Sequence, residues 1–350
     1  MIVLAGDIGG TKCLLRLARV RPDGHGAHET LYEQRYASAD YERFEELIRR
    51  FLHEAHNREP IAAACFAVAG PVEGLGTHRQ ARLTNLPWQL DNELLAEEFE
   101  LGRIDIVNDF AAIGYSLPLL GEADLETLQD GRHVEGATVL IAGAGTGLGV
   151  CALCPGGERV MATEGGHAGF APADEQQDRL LAFVRAQEGR CTREYLLSGR
   201  GLTRILEFLE QDTGHPRSEE LALAMQEGDP AAAVSEFGTT GQDALAAQAM
   251  GLFTRIYGGQ LGDLALTFLS RGGVYVAGGI APKILPLLRG AEFMAAFLDK
   301  APMRAVVETM PVQVILNPAA GLLGAVARAT ALGRQHASAE TPPDRLGSTV

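Results

Sequence analysis

Positive charge is scarce in this chain. Its 350 residues carry 30 lysines and arginines against 45 aspartates and glutamates, a formal net charge of −15. A nucleic-acid binder needs a basic face to neutralise phosphates, so the balance argues against that partner. Long hydrophobic runs are also missing. The most apolar segment, Val139 to Cys154, is too short and too glycine-rich to span a bilayer, and no membrane role is expected. The opening MIVLAGDIGG has neither a basic n-region nor a long apolar stretch, so it does not read as a signal peptide, and a cytoplasmic location is the expectation. Cysteine is limited to Cys13, Cys65, Cys151, Cys154 and Cys191. An odd, scattered count fits reduced core thiols better than a disulfide framework. Cys151 and Cys154 form a lone CxxC without a second pair, and they read as buried strand thiols beside Val150 and Leu153, not as a redox or zinc site.

What is present is ordinary globular material, 46% hydrophobic and 21% charged, long enough for two domains with separate cores. The informative feature is an internal echo. VLAGDIGGTKCLLRLARV (Val3–Val20) and VLIAGAGTGLGVCALC (Val139–Cys154) are each an apolar run, a glycine turn with a threonine, and a second apolar run. Setting Ala5 on Ala142 brings Gly6 over Gly143, Gly9 over Thr146 and Gly10 over Gly147. Both read as β-hairpins, and their spacing suggests a duplicated domain.

Between and beyond the hairpins, strand and helix patterns alternate. Tyr41–His56 is helical with Phe44, Leu47, Ile48 and Phe51 on one face, Ile61–Val68 is a strand ending at Gly70-Pro71, and Asn92–Glu100 is a helix. Arg103–Val107 is a strand that stops at Asn108-Asp109. Asp178–Glu188 and Thr192–Ser198 are expected as helices, the second closed by Gly199. Ala244–Ser270 reads as a long helix interrupted at Gly258-Gly259, then come the strand Gly273–Ala277, the turn Gly278-Gly279, the strand Val312–Leu316 and the helix Gly321–Leu332. From Gly333 onward the chain is rich in Ser, Pro and charge, and disorder is expected. The class is α/β, in which ligands bind at the carboxyl ends of strands.

Three glycine turns, Gly6–Lys12, Gly143–Gly149 and Gly278-Gly279, lie at such ends. Glycine lets backbone N–H groups approach phosphate oxygens closely. None matches GxxxxGK[ST], and GAGTGLG misses the GxGxxG spacing of a dinucleotide site, so the three together point to a different phosphate site. Asp7, placed within the first turn, suits a Mg²⁺ partner held through water; a turn-stabilising role is the plainer alternative. Asp109 is either a general base or an N-cap. Asn108, Glu164, His167 and Glu194 form a mixed donor and acceptor set of the kind that suits sugar hydroxyls, with Glu194 placed near a helix start. A metal site of Glu164, His167 and Glu194 lacks any HExxH or Cys/His array to support it.

Taken together, GDIGGTK (Gly6–Lys12), AVAGPV (Ala67–Val72), LTNLPW (Leu83–Trp88), IVNDFAA (Ile106–Ala112), GAGTGLGV (Gly143–Val150), EGGHAGFAP (Glu164–Pro172), LLSGRGL (Leu196–Leu202), VYVAGGI (Val274–Ile280) and GLLGA (Gly321–Ala325) resemble the bacterial glucokinases of proteobacterial type. The resemblance implies a two-lobed actin-like ATPase (ribonuclease H-like) fold with an interlobe cleft. It implies a small lobe of residues 1–115 plus 319–333 and a large lobe of 116–318, and it does not extend to the tail of 334–350, for which composition sets the expectation of disorder. It implies ATP-dependent phosphorylation of glucose at the 6-hydroxyl, with Mg²⁺, in a homodimer. By the resemblance Asp109 is the base, and Asn85, Asn108, Glu164, His167 and Glu194 hold the sugar. Gly9, Gly10, Thr11, Gly145, Thr146, Gly147, Gly278 and Gly279 line the phosphates, with Asp7 on the metal side.

Two departures stand out. Lys12 and Leu14 replace the usual asparagine and arginine; lysine there is more typical of ROK sugar kinases, whose cysteine-rich zinc motif this chain lacks. Arg200 stands where proline is usual and reads as a surface variation. A same-fold kinase for another hexose or amino sugar is the alternative function, with a sugar-sensing repressor or an actin-like polymer further off, and ADP or polyphosphate remain open as donors.

Overall fold

The computed structural model describes residues 1–21, 28–74, 77–83, 86–157 and 159–340, with side chains as far as residue 335. The chain divides into two compact units, Met1–Leu120 with Pro318–Val350, and Gly121–Asn317.

The strands of the first unit are β1 (Ile2–Ile8), β2 (Lys12–Val20), β3 (His28–Ala37), β4 (Ile61–Val68), β5 (Val72–Glu73), β6 (Gln80–Arg82), β7 (Gln89–Asp91) and β8 (Arg103–Asn108). Five of them form one sheet in the order β3-β2-β1-β4-β8, and β5, β6 and β7 form a small separate one. β1 and β4 are apolar along nearly their whole length and are buried, as central strands covered on both faces must be. β3 alternates charge with Tyr32 and Tyr36 and is mostly exposed, which protects a sheet edge from further pairing. The helix Phe44–Ala55 buries Phe44, Leu47, Ile48 and Phe51, the face read from the sequence. Phe44 meets Phe66 edge-on with centroids 5.1 Å apart, worth about 1 kcal/mol beyond its area. The C-terminal helix, Ala320–Glu340, packs on β1, β4 and the helix Asp109–Ser116.

In the second unit β9 (Leu125–Gln129), β10 (Val139–Ala144), β11 (Leu148–Leu153), β12 (Val160–Thr163), β13 (Gly273–Val276) and β14 (Val312–Ile315) form a six-stranded sheet, β12-β11-β10-β13-β14-β9. Its first five strands repeat the pattern of the other sheet. Two antiparallel pairings run to the hairpin's first strand, and two parallel pairings follow. The sequence echo is therefore an echo of topology. The two turns differ in length, with four residues between the paired Ile8 and Cys13 and three between the paired Ala144 and Leu148, and each opens on a glycine, Gly9 or Gly145, whose N–H closes onto the carbonyl of the turn's last residue.

Several expectations need correction. Thr192–Ser198 is a turn, not a helix; the helix begins at Gly199, with the Ser198 Oγ accepting from the Gly201 N–H at 3.0 Å. Glu194 therefore stands in a loop, not at a helix start. The helix Ala244–Phe268 runs through Gly258-Gly259 without interruption, because Gly258 lies where the Phe293 carbonyl of a neighbouring helix leaves no room for a Cβ. The C-terminal helix reaches Glu340, into the segment expected to be disordered, while 341–350 lie outside the described residues. Cys151 is buried in β11, but Cys154 falls past the strand and is half-buried.

Candidate active site

The first glycine turn is held from behind. The Gly9 N–H donates to the Lys12 carbonyl at 3.0 Å. Ser38, fully buried, donates its hydroxyl to the Gly9 carbonyl at 2.9 Å and its N–H to the Thr11 carbonyl at 3.0 Å. With those carbonyls engaged, the N–H groups of Gly10 and Thr11 have no hydrogen-bond partner among the described residues. Two adjacent free amides make an anion-binding concavity. Asp7 is not in this turn. It belongs to β1, paired with Leu14 on one side and Ala67 on the other. Its carboxylate lies beside the start of the C-terminal helix, where a Cβ on Gly321 would come 3.4 Å from Oδ2. Burial pushes the Asp7 carboxyl above its ordinary range, and no hydrogen bond to it occurs among the described residues. A partly buried carboxylate without a donor is what a cation would relieve.

Asn108 and Asp109 stand where β8 passes into the helix Asp109–Ser116. The N-cap is Asn108 and not Asp109. The Asn108 Oδ1 accepts from Phe110 N at 3.0 Å and Ala111 N at 3.3 Å, and its Nδ2 donates to the Gly70 carbonyl at 3.3 Å. That leaves Asn108 one N–H for a ligand. Asp109 is the first helical residue, and its Oδ1 accepts from Phe110 N at 2.9 Å. The helix itself is pinned by the C-terminal helix. Gly324 lies against Ala112, and Arg328 pairs with Asp105 of β8 at 2.6 Å while its guanidinium lies 5.4 Å from the Tyr115 ring centroid.

In the second unit the structure brings Glu164, His167 and Glu194 together. The His167 Nε2 is 3.9 Å from Glu164 Oε2, and its Nδ1 is 3.9 Å from Glu194 Oε1. Those gaps are too long for direct hydrogen bonds, so the row presents polar atoms outward. Glu194 also reaches the second hairpin, its Oε2 accepting from the Leu148 N–H at 2.9 Å. Leu148 directly follows the turn Gly145–Gly147, in which the Gly145 N–H closes onto the Gly147 carbonyl at 2.8 Å. As in the first hairpin, the next two amides, of Thr146 and Gly147, lack partners among the described residues. Gly278-Gly279 sits beside this turn, with Ile280 N donating to Ala144 O at 3.2 Å. Asn85 lies outside the described residues.

Some residues that shape this region had no reading as functional. The half-buried Arg193 donates from Nη1 to the Gly165 carbonyl at 3.2 Å and from Nε to Gln260 Oε1 at 3.0 Å, holding the Glu164–His167 loop. Burial lowers its pKa. The buried Tyr257 hydroxyl accepts from Ala144 N at 3.0 Å, at the base of the second hairpin. Neither leaves a sequence signal, since each acts through a partner far along the chain. A cavity of about 430 Å³ opens next to Gly145 and Thr146, lined by Gly279 and Ile280, by Gly199–Thr203 except Gly201, and by Asp229–Ala232, Ser235 and Lys283. Its apolar wall of Leu202, Ala231, Ala232 and Ile280 and its neighbouring free amides suit a molecule with a flat apolar part and an anionic part. Arg200, read from sequence as a surface variation, lines this cavity.

Comparison with known proteins gives a consistent result. The family model described as Glucokinase matches residues 4–332. The glucokinase of Synechocystis sp. is 42% identical over 344 residues, covering 92% of this chain and 96% of its own. A crystal structure of a glucokinase from an Antarctic psychrotroph superposes with a TM-score of 0.82 at 26% identity, covering 94% of this chain and 99% of its own. A ROK family glucokinase from Streptomyces griseus, in complex with glucose and AMPPNP, shares the fold with a TM-score of 0.62 at 21% identity, over 95% of this chain and all of its own.

Proposed function

The chain belongs to the glucokinase family, its reaction is the phosphorylation of glucose by ATP, and we propose that Asp109 is the base that takes the proton of the attacking 6-hydroxyl. The family's structures are two-lobed sugar kinases of the actin-like ATPase fold, and the repeated sheet of this chain is that fold's signature.

In this reading Glu164, His167 and Glu194 hold sugar hydroxyls, together with the remaining N–H of Asn108, and Asn85 has the same assignment. Two carboxylates and an imidazole match a ring of hydroxyls, each both donor and acceptor. The AMPPNP and glucose bound by the Streptomyces griseus protein support a nucleotide and a sugar as ligands here. The adenosine part takes the apolar cavity, and the amides of Gly10, Thr11, Thr146 and Gly147 take phosphate oxygens, with Gly9, Gly145, Gly278 and Gly279 shaping their turns. Asp109 belongs to the first unit and the Glu164 row to the second. Asp7 is the residue for Mg²⁺, through water. It is a single carboxylate, so the ion would be held jointly with the nucleotide, where it would neutralise phosphate charge during transfer. Positioning and charge stabilisation account for most catalysis of this class. A homodimer acting in the cytoplasm, at the entry of glucose into glycolysis, completes the reading.

The observation that carries it is the Glu194 carboxylate on the Leu148 N–H, which ties the sugar-type row to a phosphate-type turn in one unit. A coupled assay for glucose 6-phosphate, run with ATP, ADP and polyphosphate, tests it. Turnover with glucose and ATP above every other pair is expected. A hexose or amino sugar preferred over glucose by more than tenfold in kcat/KM would overturn the substrate assignment.

A further inference from the structure

We propose that Arg200, with Lys283 at the same cavity, is a donor-recognition residue whose guanidinium binds the phosphate chain of the nucleotide. The proposal rests on the reading of that cavity as the nucleotide site, and three observations carry it.

Arg200 and Lys283 both line the cavity that opens beside the turn with the free Thr146 amide. Neither has an ion-pair partner among the described residues, in a chain whose acidic groups outnumber its basic ones by 45 to 30 and, among the described residues, pair with twelve of its 27 arginines. The one carboxylate lining the cavity, Asp229, caps Ala231 N at 2.9 Å and Ala232 N at 3.3 Å through its Oδ1 and forms no ion pair with either cation.

The placement of Arg200 on its helix is the third observation. It is the second residue of Gly199–Thr213, a helix with no acidic residue in its first turn. The N-terminal end of a helix is electropositive, so a cation there is disfavoured in the empty protein and an anion is favoured. An arriving phosphate reverses that cost, since it meets the guanidinium and the helix end together. The adjoining Gly199 N–H bonds the Gly145 carbonyl at 2.9 Å, so this helix end and the phosphate turn form one rigid corner.

Equilibrium binding of MgADP and of adenosine to the full chain tests the proposal, with Arg200→Gln as the variant. A charge-assisted contact at an exposed rim predicts about tenfold weaker MgADP binding, unchanged adenosine binding, and a loss that shrinks as salt rises. Unchanged MgADP affinity overturns the proposal. A parallel loss for adenosine overturns it too, because the guanidinium would then be stacking on the base. Ala232→Trp separates the two levels of the argument. It fills the apolar wall and must weaken both ligands. If it leaves MgADP binding intact, the cavity is not the nucleotide site and the proposal falls with that reading. If it blocks MgADP while Arg200→Gln changes nothing, the Arg200 assignment alone is wrong.

Discussion

One methyl group at position 324 should separate the catalytic role of Asp109 from its structural setting. Gly324 lies on the C-terminal helix where it crosses the helix Asp109–Ser116. A Cβ there would come 2.5 Å from the Ala112 carbonyl carbon, and closer still to its oxygen, where ordinary contact begins at 3.4 Å. The oxygen sets the shift required, which therefore exceeds the deficit of about 0.9 Å at that carbon, and it must be met by backbone because no flexible side chain can yield. Asp109 is one helical turn before Ala112, so the same shift moves its carboxylate. A displacement of about 1 Å can cost on the order of 10² in rate. The effect on stability is smaller. Overpacking costs roughly 1–3 kcal/mol, and alanine returns about 1 kcal/mol of helix propensity. Gly324→Ala should therefore lower kcat about 100-fold while Tm falls by only a few degrees. Steady-state kinetics beside a thermal melt decide the matter. Normal turnover would refute the argument that this contact sets the position of Asp109, and so would a loss of activity no larger than the unfolded fraction.

Further outcomes follow from other contacts. Glu194→Ala leaves the Leu148 N–H without its acceptor, so KM should rise for both glucose and ATP; a change confined to glucose would deny the link between the two sites. Asp7→Asn should abolish Mg²⁺-dependent activity yet stabilise the ligand-free protein. The raised carboxyl pKa means that the fold favours the uncharged form, so the gain should be small at acid pH and grow as pH rises through the Asp7 titration; a melting-temperature series with no such trend would contradict it. Ser38→Ala frees the Gly9 carbonyl and should raise KM for ATP with the glucose KM unchanged. His167→Ala should mainly raise KM for glucose, and an unchanged KM would remove it from the sugar.

The parts of this molecule that were legible in its sequence are those fixed by local chemistry. Both glycine hairpins, the buried face of Phe44–Ala55 and the strand that stops at Asn108 follow from periodicity and turn residues. The errors share another origin. Thr192–Ser198 has helical composition, but Ser198 makes a better cap than a helix interior, and the chain spends those residues placing Glu194 on Leu148. Gly258 looks like a break only until the Phe293 carbonyl that needs its space is known. Arg200 is exposed, as a surface variation should be, but its place at a cavity was not legible because that cavity is built from four distant segments. Arg193, Tyr257 and Ser38 went unread for the same reason. Each positions a turn through a hydrogen bond to backbone remote in sequence, and single-residue patterns hold no trace of such a bond.

Asp109→Asn is the most direct test of the chemistry. The amide keeps the shape and can still accept from the Phe110 N–H, but it cannot take a proton. Glucose affinity and Tm should stay close to those of the unchanged chain, while kcat falls by roughly 10²–10⁴. Turnover within a few-fold of normal would show that the attacking hydroxyl gives its proton to some other group.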